Sequence, residues 1–182
     1  AVGLVERKNL LTKNKIKLND VILAVPSSGL HSNGFSLVRR VLKKKKNLYL
    51  SPFLKKNLIK PTKIYAKELN KINEKKLING CANITGGGLL DNMIRVIPNE
   101  LCLNVDLSRI KIKSIFKWLK KNNIKDSEML KTFNCGIGFC LITNKKNIKK
   151  IKKIFSKNYQ PYQIGFISRE KAKVKTFGKL EW

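Results

Sequence analysis

The chain has 182 residues, of which 42% are hydrophobic, and this is enough for one compact domain with its own core. No apolar run approaches the roughly 20 residues of a membrane span, and the N-terminus lacks the pattern of a secretory signal peptide, so the sequence argues against a membrane protein. The first residue is Ala1 rather than Met, and we expect the chain to begin inside a longer protein or to have been trimmed.

The formal net charge of +29, from 40 basic and 11 acidic residues, has two interpretations. It would suit a polyanionic partner such as RNA or DNA. It also fits a genome with A+T-rich codons, because Lys, Asn and Ile are all abundant and Asn adds nothing to phosphate binding. Net charge bears on nonspecific binding rather than on fold, and the codon interpretation explains more of the composition.

The four cysteines are Cys81, Cys102, Cys135 and Cys140. They lie in apolar stretches, show no C-x-x-C spacing and have no histidine at metal-ligand spacing. Free cysteine is commonly buried as a small apolar residue. The sequence therefore predicts reduced thiols in a cytoplasmic protein and no metal held by protein side chains.

The N-terminal part predicts a short strand at residues 1–7 and a polar connector at 9–19. Val, Ile and Leu then follow one another without alternation at 21–25, as in a strand that is buried on both faces. A loop follows, and Ser32 or Asn33 is the expected N-cap of a helix that ends in a run of lysines at 43–46.

The rest of the chain alternates between helices and short strands. Pro61 should open a helix, because proline at the first helical position loses no intrahelical hydrogen bond. Residues 163–167 and 173–177 are expected to pair as a hairpin through Arg169-Glu-Lys171. The other predicted elements are a helical turn within 51–60, strands at 77–84, 101–105 and 139–143, and helices at 89–96, 108–122, 126–131 and 145–157.

The loop Pro26-Ser-Ser-Gly-Leu-His-Ser-Asn-Gly34 carries most of the chemistry. Small polar residues between a strand and a helix can aim backbone N–H groups at a phosphate, and ligands tend to bind beyond the carboxyl ends of strands. His31 is either a proton-transfer group, since imidazole titrates near ~6.5, or a structural residue. The side chains of Ser28, Ser32 and Asn33 either donate hydrogen bonds to a ligand or cap the helix.

A second loop, Thr85-Gly-Gly-Gly88, also follows a strand. Three glycines allow positive φ and a close approach of the backbone to a ligand, and consecutive N–H groups can form an anion nest; a plain tight turn is the alternative. Asp91 could assist a metal or an amine, or simply suit a helix start. Arg39 could pair with a phosphate or form a surface salt bridge.

A third segment, Thr132-Phe-Asn-Cys-Gly-Ile-Gly138, leads into a strand, and its glycines indicate close backbone packing or a bulge. The three loops together, in this order and spacing, resemble the phosphoribosylformylglycinamidine cyclo-ligases, the AIR synthetases of purine biosynthesis, as does Pro61-Thr-Lys-Ile-Tyr65. The resemblance covers essentially the whole chain but only the C-terminal half of that enzyme. One departure is Asn83, which stands where the family often has His.

The resemblance implies an α/β fold in which a mixed β-sheet is flanked by helices. Residues 1–19 would be the end of a missing N-terminal domain and a connector, and residues 20–182 the C-terminal domain. The implied reaction uses ATP and Mg²⁺ to phosphorylate the amide oxygen of formylglycinamidine ribonucleotide. An amidine nitrogen then closes the ring to give aminoimidazole ribonucleotide. The complete enzyme would be a cytoplasmic homodimer, and we expect the fragment to be inactive without its N-terminal domain.

Within this resemblance, His31 and Asn33 are the expected catalytic residues, and Arg39, Asp91 and Asn134 are further candidates. The residues expected to bind substrate or phosphate are Ser28, Gly29, Ser32, Gly34, Thr85, Gly86, Gly87 and Gly88.

Two alternatives remain open. The first is another ATP-using enzyme of the same superfamily, such as a formylglycinamidine ribonucleotide synthetase, a thiamine-phosphate kinase or a selenophosphate synthetase. The first loop is shared in part with the synthetase, whereas the short length and the Thr-Phe-Asn motif favour the cyclo-ligase. The second is a basic nucleic-acid-binding module, which the absence of RNA-binding and zinc-finger signatures disfavours.

Overall fold

The computed structural model describes residues 3–44 and 51–182, and within them the chain forms six strands and seven α-helices. The strands are β1 (Val21–Pro26), β2 (Gly80–Asn83), β3 (Cys102–Asp106), β4 (Ile137–Thr143), β5 (Tyr162–Ser168) and β6 (Val174–Phe177). The helices are α1 (Phe35–Lys43), α2 (Pro52–Leu58), α3 (Ala66–Glu74), α4 (Gly88–Ile94), α5 (Ser114–Lys120), α6 (Asp126–Thr132) and α7 (Ile148–Lys152).

All six strands belong to one sheet with the order β2-β4-β1-β5-β3-β6. The pairs β2–β4, β4–β1, β1–β5 and β5–β3 are antiparallel, and β3–β6 is parallel. The mixed sheet flanked by helices is therefore confirmed.

Strand β1 lies in the middle of the sheet and is buried on both faces, as its unbroken apolar sequence predicts. Ile22 and Ala24 belong to an apolar cluster that also contains buried residues of α1, α4, α5 and α6. Val21, Leu23 and Val25 point to the opposite face and pack with residues of α3 and α7. Because successive side chains of a strand alternate between faces, this one strand joins both halves of the core.

The predicted C-terminal hairpin is wrong. Strand β5 pairs with β1 and β3, whereas β6 pairs with the far side of β3, so that β3 lies between the two strands. Its Leu103 and Val105 are fully buried, and the strand has a neighbour along both of its edges. The segment after β5 therefore crosses β3 instead of turning back on itself.

Three local predictions also need correction. Pro61 does not open a helix: the segment 61–65 is irregular, and α3 begins only after Tyr65. Neither Ser32 nor Asn33 caps α1, because the N-cap is Gly34 with φ 77° and no side chain completes the cap. Residues 145–157 form a short 3₁₀ turn and α7 rather than one continuous helix.

At the N-terminus, residues 3–6 are not in a strand and Arg7–Asn9 forms a 3₁₀ turn; the first two residues of the predicted strand lie outside the described part of the chain. The lysine run expected at 43–46 also extends beyond it. Among the described residues, no helix is long and apolar enough to cross a bilayer, and no group of three or more His, Cys, Asp or Glu side chains could hold a metal ion. The four cysteines are free thiols, three of them buried.

Candidate functional site

The three loops singled out in the sequence lie at the same end of the sheet because of the strand order. Strand β4 runs antiparallel to both neighbours, so its first residues pair with the last residues of β1 and β2: Ile137 with Pro26, and Phe139 with Asn83. The first loop (residues 26–34) and the glycine loop (residues 85–88) therefore leave the sheet on either side of the third loop (residues 132–138).

Two close approaches join these loops. The Oδ1 atom of Asn33 lies 3.9 Å from the position that a Cβ on Gly86 would take, which brings the first loop to the glycine loop. A Cβ on Gly34 would come within 2.2 Å of the ring of Phe133, so the first loop also packs directly on the third. Gly34 has φ 77°, and only glycine combines that backbone with no side-chain volume.

Asn134 connects the first and third loops through its side-chain amide, which is buried. Its Nδ2 donates to the carbonyl oxygens of Gly29 at 2.9 Å and Leu30 at 3.2 Å. Its Oδ1 accepts from the Gly136 N–H at 2.9 Å and the Ser27 hydroxyl at 3.2 Å. With every polar atom bonded within the loops, Asn134 holds their shape, and its side chain has no direction free for a ligand.

His31 is buried, with 7% of its surface exposed, and has φ 58°, a left-handed conformation that histidine adopts more readily than most residues. Its Nε2 accepts a hydrogen bond from the Ser28 N–H at 3.2 Å, so in the neutral ring the proton lies on Nδ1. Burial lowers the pKa of the His31 imidazole, and the ring is therefore neutral near neutral pH.

Tyr65 packs beside this histidine. Its hydroxyl donates to the Pro26 carbonyl at 2.8 Å and lies 3.5 Å from His31 Nε2. Burial is the largest of the effects that raise the pKa of the Tyr65 hydroxyl, so it remains protonated. A Cβ on Gly138 would come within 2.0 Å of that hydroxyl oxygen and 3.0 Å of the His31 ring. The third loop therefore needs a glycine here to leave room for Tyr65 and His31.

The remaining polar residues of the first loop differ in what they can contact. The Ser28 hydroxyl donates to the Pro61 carbonyl at 2.7 Å and accepts from the Lys63 N–H at 3.1 Å, so it fastens the segment 61–65 to the loop. Gly29 is buried, and a Cβ on it would lie 3.9 Å from the Asn57 carbonyl oxygen. Ser32 is exposed, with its hydroxyl 3.4 Å from that of Thr62, and Asn33 is half-buried beside the glycine loop.

Lys63 and Glu68 form an ion pair beside this segment that the sequence did not reveal. Their Nζ and Oε1 atoms are 2.9 Å apart, and less than a fifth of each side chain is exposed, 17% for Lys63 and 16% for Glu68. Burial is the largest single effect and opposes ionisation of Glu68. The hydrogen bonds from Lys63 and from the Glu68 backbone, with the charges of Lys63 and Lys67, together outweigh it and lower the pKa of the carboxyl. The pair fixes the course of the chain from Pro61 into α3.

The glycine loop is a tight turn closed by a hydrogen bond from the Gly88 N–H to the Thr85 carbonyl at 3.0 Å. Gly87 and Gly88 have φ 93° and 67°, and a Cβ on Gly88 would lie 1.7 Å from the Leu130 carbonyl oxygen. Gly86 is exposed. Within the part of the chain that the structure describes, the N–H groups of Gly86 and Gly87 have no hydrogen-bond acceptor. Such a backbone can bind an anion.

Two of the charged candidates occupy different places. Asp91 is exposed, and its carboxylate packs against Gly87, with Oδ2 3.3 Å from the position of an added Cβ. Arg39 is exposed on α1 and lines a surface groove with Arg40, Lys43 and Lys44 instead of joining the three loops. The structure thus brings together the candidates of the first and glycine loops, with Asn134 behind them, and leaves Arg39 outside.

The part of the chain that contains all three loops matches a known protein family. A family model described as AIR synthase related protein, C-terminal domain, matches residues 17–176. Two curated relatives are named phosphoribosylformylglycinamidine cyclo-ligase. The protein from Thermodesulfovibrio yellowstonii is 40% identical over 178 residues, covering 93% of this chain and 52% of that protein. The protein from Pseudothermotoga lettingae is 44% identical over 158 residues, covering 83% and 46%. The chain spans about half the length of the curated relatives it matches.

Solved structures share the fold at much lower identity. Thiamine-monophosphate kinase from Stenotrophomonas maltophilia matches with a TM-score of 0.67 and 16% identity, over 97% of this chain and 56% of that chain. T. maritima PurL complexed with FGAR matches with a TM-score of 0.59 and 17% identity, over 96% and 28%. The same protein complexed with ADP gives 0.58 and 13%, over 96% and 25%. From the match over residues 17–176 and these relatives, the chain belongs to the AIR synthase related proteins and corresponds to their C-terminal domain.

Proposed function

We propose that this chain is the C-terminal half of a phosphoribosylformylglycinamidine cyclo-ligase, an enzyme that uses ATP to close the ring of formylglycinamidine ribonucleotide and form aminoimidazole ribonucleotide. The observation that carries the proposal is the approach of Asn33 to Gly86 at the end of the sheet, which joins the histidine loop to the glycine loop. The names of the curated relatives support it.

In this proposal the glycine loop binds a phosphate group of the substrate or of ATP. The N–H groups of Gly86 and Gly87 supply two donors with no acceptor among the described residues, and the side chain of Asn33 lies at the opposite rim. Use of ATP is supported by the PurL structure complexed with ADP, which shares this fold. Donors fixed before the ligand arrives stabilise negative charge without reorganising.

His31 is proposed to act through its Nδ1–H. Because Nε2 already accepts the Ser28 N–H, the free group of the ring is a hydrogen-bond donor rather than a base. A donor of this kind can polarise or orient the substrate amide, whose oxygen takes up the phosphoryl group. The amidine nitrogen then attacks the activated carbon, and phosphate leaves with the oxygen.

Mg²⁺ would assist by neutralising the phosphates, but the described residues contain no group of three or more His, Cys, Asp or Glu side chains that could hold it. Asp91 is the carboxylate that borders the glycine loop, and Glu68 is occupied by Lys63. The described residues therefore do not form a Mg²⁺ site on their own. In the complete enzyme its protein ligands would come from the other half of the protein.

The proposal requires a second domain, because relatives of about twice this length share the match. The segment 59–64, next to the first loop, supports this requirement: Ile59 and Ile64 are 81% and 82% exposed, and exposed apolar residues beside a site are typical of an interface. The homodimeric state of the complete protein and its cytoplasmic location stay predictions.

The decisive experiment is isothermal titration of this chain with formylglycinamidine ribonucleotide and with ATP, with and without an N-terminal domain supplied separately. We expect ribonucleotide or nucleotide binding that strengthens when the N-terminal domain is present, and turnover only in the combined sample. Failure of the combined sample to bind either ligand would contradict the proposal.

A formylglycinamidine ribonucleotide synthetase is the second candidate, favoured by the PurL complexed with FGAR, which has the same fold. The two activities differ in substrate: the synthetase acts on the amide, whereas the cyclo-ligase acts on the amidine. Offering the combined sample each ribonucleotide with ATP and ammonia separates them, because conversion of the amide to the amidine needs a nitrogen donor. Consumption of the amidine alone identifies the cyclo-ligase.

A further inference from the structure

Asn92, in α4, lies directly behind the glycine loop and is buried, with 6% of its surface exposed. Its Nδ2 atom lies 2.7 Å from the Gly88 carbonyl oxygen, 3.2 Å from that of Gly86 and 3.4 Å from that of Thr85. Its Oδ1 accepts the Thr85 hydroxyl at 3.3 Å. One side-chain amide thus contacts three of the four carbonyl groups in the loop.

These contacts, with the Gly88 N–H that the Thr85 carbonyl also accepts at 3.0 Å, determine which way the loop amides face. In a trans peptide the C=O and the following N–H point in opposite directions, and the described chain contains no cis peptide bond. The Thr85 carbonyl shares its peptide unit with the Gly86 N–H, and the Gly86 carbonyl shares its unit with the Gly87 N–H. When Asn92 attracts both carbonyls inward, both N–H groups are turned outward.

The outward side is the proposed ligand site. Gly86 is exposed, and the N–H groups of Gly86 and Gly87 find no acceptor in the described residues. Asn33 faces them from the first loop. An asparagine in a helix is disfavoured unless its side chain makes a specific hydrogen bond, and here that bond is to the loop rather than to solvent.

We propose that Asn92 is a positioning residue for phosphate binding: it turns the carbonyl groups of the glycine loop away from the ligand so that the Gly86 and Gly87 N–H groups face it. The inference rests on the proposed function for the identity of the ligand. The orientation of the loop itself follows from the hydrogen bonds of Asn92 and can be measured without any ligand.

The test uses the ¹⁵N-labelled chain with Asn92→Asp, which keeps the shape of the side chain but replaces the Nδ2 donors with a carboxylate oxygen that repels the carbonyls. Asn92→Ser, which adds no charge, covers the case in which the aspartate variant does not fold. The matched control is Asn104→Asp, because Asn104 is also buried and its Nδ2 donates to the Ser168 hydroxyl at 2.7 Å, within the sheet. Amide chemical shifts of Gly86 and Gly87, the melting temperature and the Kd for ADP are measured for each variant.

We expect the Asn92 variants to move the Gly86 and Gly87 amide signals and to weaken ADP binding by about tenfold or more, since a buried carbonyl without its donor is costly. The Asn104 control should lose thermal stability while its Kd for ADP stays within about twofold of wild type, as for distant sites. Unmoved glycine signals, or equal losses of affinity in the Asn92 and Asn104 variants, would overturn the positioning role.

The results that would refute the proposed function differ from those that would refute only the role of Asn92. If neither ADP nor formylglycinamidine ribonucleotide binds the wild-type chain or shifts its Gly86 and Gly87 amide signals, phosphate binding by the loop is refuted, and the ligand role of Asn92 with it. If the wild-type chain binds ADP through these amides and the Asn92 variants bind it equally well, the proposed function stands and only the role of Asn92 is overturned.

Discussion

The Oδ1 atom of Asn33 and the backbone of Gly86 approach so closely that a Cβ on the glycine would lie 3.9 Å from that oxygen. This contact distance, across two loops that are 53 positions apart in the chain, defines the mouth of the proposed site. The glycines of the glycine loop differ in role. A Cβ on Gly86 would find no atom nearer than 3.9 Å, whereas a Cβ on Gly88 would collide with the Leu130 carbonyl oxygen.

Gly86→Ala should therefore fold normally and bind phosphate poorly. Nothing lies nearer than 3.9 Å to the added methyl group, so we expect the free energy of unfolding to change by less than about 1 kcal/mol. The methyl group would occupy the space through which a ligand reaches the backbone. Urea unfolding and calorimetric titration with ADP measure the two effects.

Gly88→Ala is the matched comparison. Its Cβ would lie 1.7 Å from the Leu130 carbonyl oxygen, and φ is 67°, so we expect a loss of about 3 kcal/mol or more in the free energy of unfolding. If Gly86→Ala destabilised the chain as much as Gly88→Ala, the open space beside Gly86 would be refuted. If Gly86→Ala bound both ADP and formylglycinamidine ribonucleotide as well as wild type, the glycine loop would not be the phosphate site.

His31→Asn and His31→Ala should have different effects on stability and similar effects on activity. Asparagine tolerates the left-handed backbone at φ 58° and its side chain can accept the Ser28 N–H, whereas alanine can do neither without strain. Neither replaces the Nδ1–H of the ring. In the complete enzyme we expect turnover to fall far more than stability for His31→Asn; equal losses, measured by steady-state kinetics and thermal melting, would make His31 a purely structural residue.

The stability of the chain should also depend on pH through this one histidine. Burial lowers the pKa of folded His31 below the ordinary value of 6.5, so below that pH the unfolded chain takes up a proton that the folded chain resists. The free energy of unfolding is then highest above about pH 6.5 and decreases as the pH falls toward the folded pKa. The chain has a single histidine, so the difference between wild type and His31→Asn isolates the effect. Urea unfolding between about pH 7 and about pH 5 measures it, and parallel curves would contradict it.

The sequence was sufficient for the buried strand and the three loops because these signals are local. Residues 21–25 form an unbroken apolar run, and glycines and small polar residues follow it at once. Pairing is not local. Val174–Phe177 is close to β5 in sequence, yet it pairs with β3, because β3 is a buried strand that takes a neighbour on each side. No pattern within residues 163–177 contains that information.

The same limit applies to the site. The residue types of the first and glycine loops identified these loops as candidate ligand sites. The sequence did not reveal that the Ser28 hydroxyl is hydrogen-bonded to the segment 61–65, or that His31 Nε2 accepts the Ser28 N–H. The loop patterns also did not single out Asn92, although it follows Gly88 by four positions and so shares its helical face. A polar residue one turn after a glycine loop was the signal that could have identified it.

Asn134→Ala should destabilise the chain and loosen the first loop together with the third. The amide makes four hydrogen bonds in a buried place, and leaving their partners unpaired should reduce the free energy of unfolding by about 3 kcal/mol. Asn147→Ala is the control, since Asn147 is only half-buried and donates one hydrogen bond, to the Leu77 carbonyl. We expect faster hydrogen exchange at residues 27–31 in Asn134→Ala alone. Unchanged exchange there would show that the loop is held by other contacts.

The net charge of +29 leads to a last prediction, about nucleic acid. A cavity of about 600 Å³ between α1 and α6, away from the three loops, is lined by Arg40, Lys44, Lys121 and Lys125 among other residues. Such a basic surface attracts RNA at low salt without recognising its sequence. Filter binding should show affinity that falls about 10³-fold or more between roughly 50 and 200 mM salt if several phosphates are contacted. We expect Lys121→Glu with Lys125→Glu to weaken this binding and to leave ADP binding unchanged. RNA binding that survived at the higher salt concentration and was displaced by ADP would instead indicate that the glycine loop recognises nucleic acid.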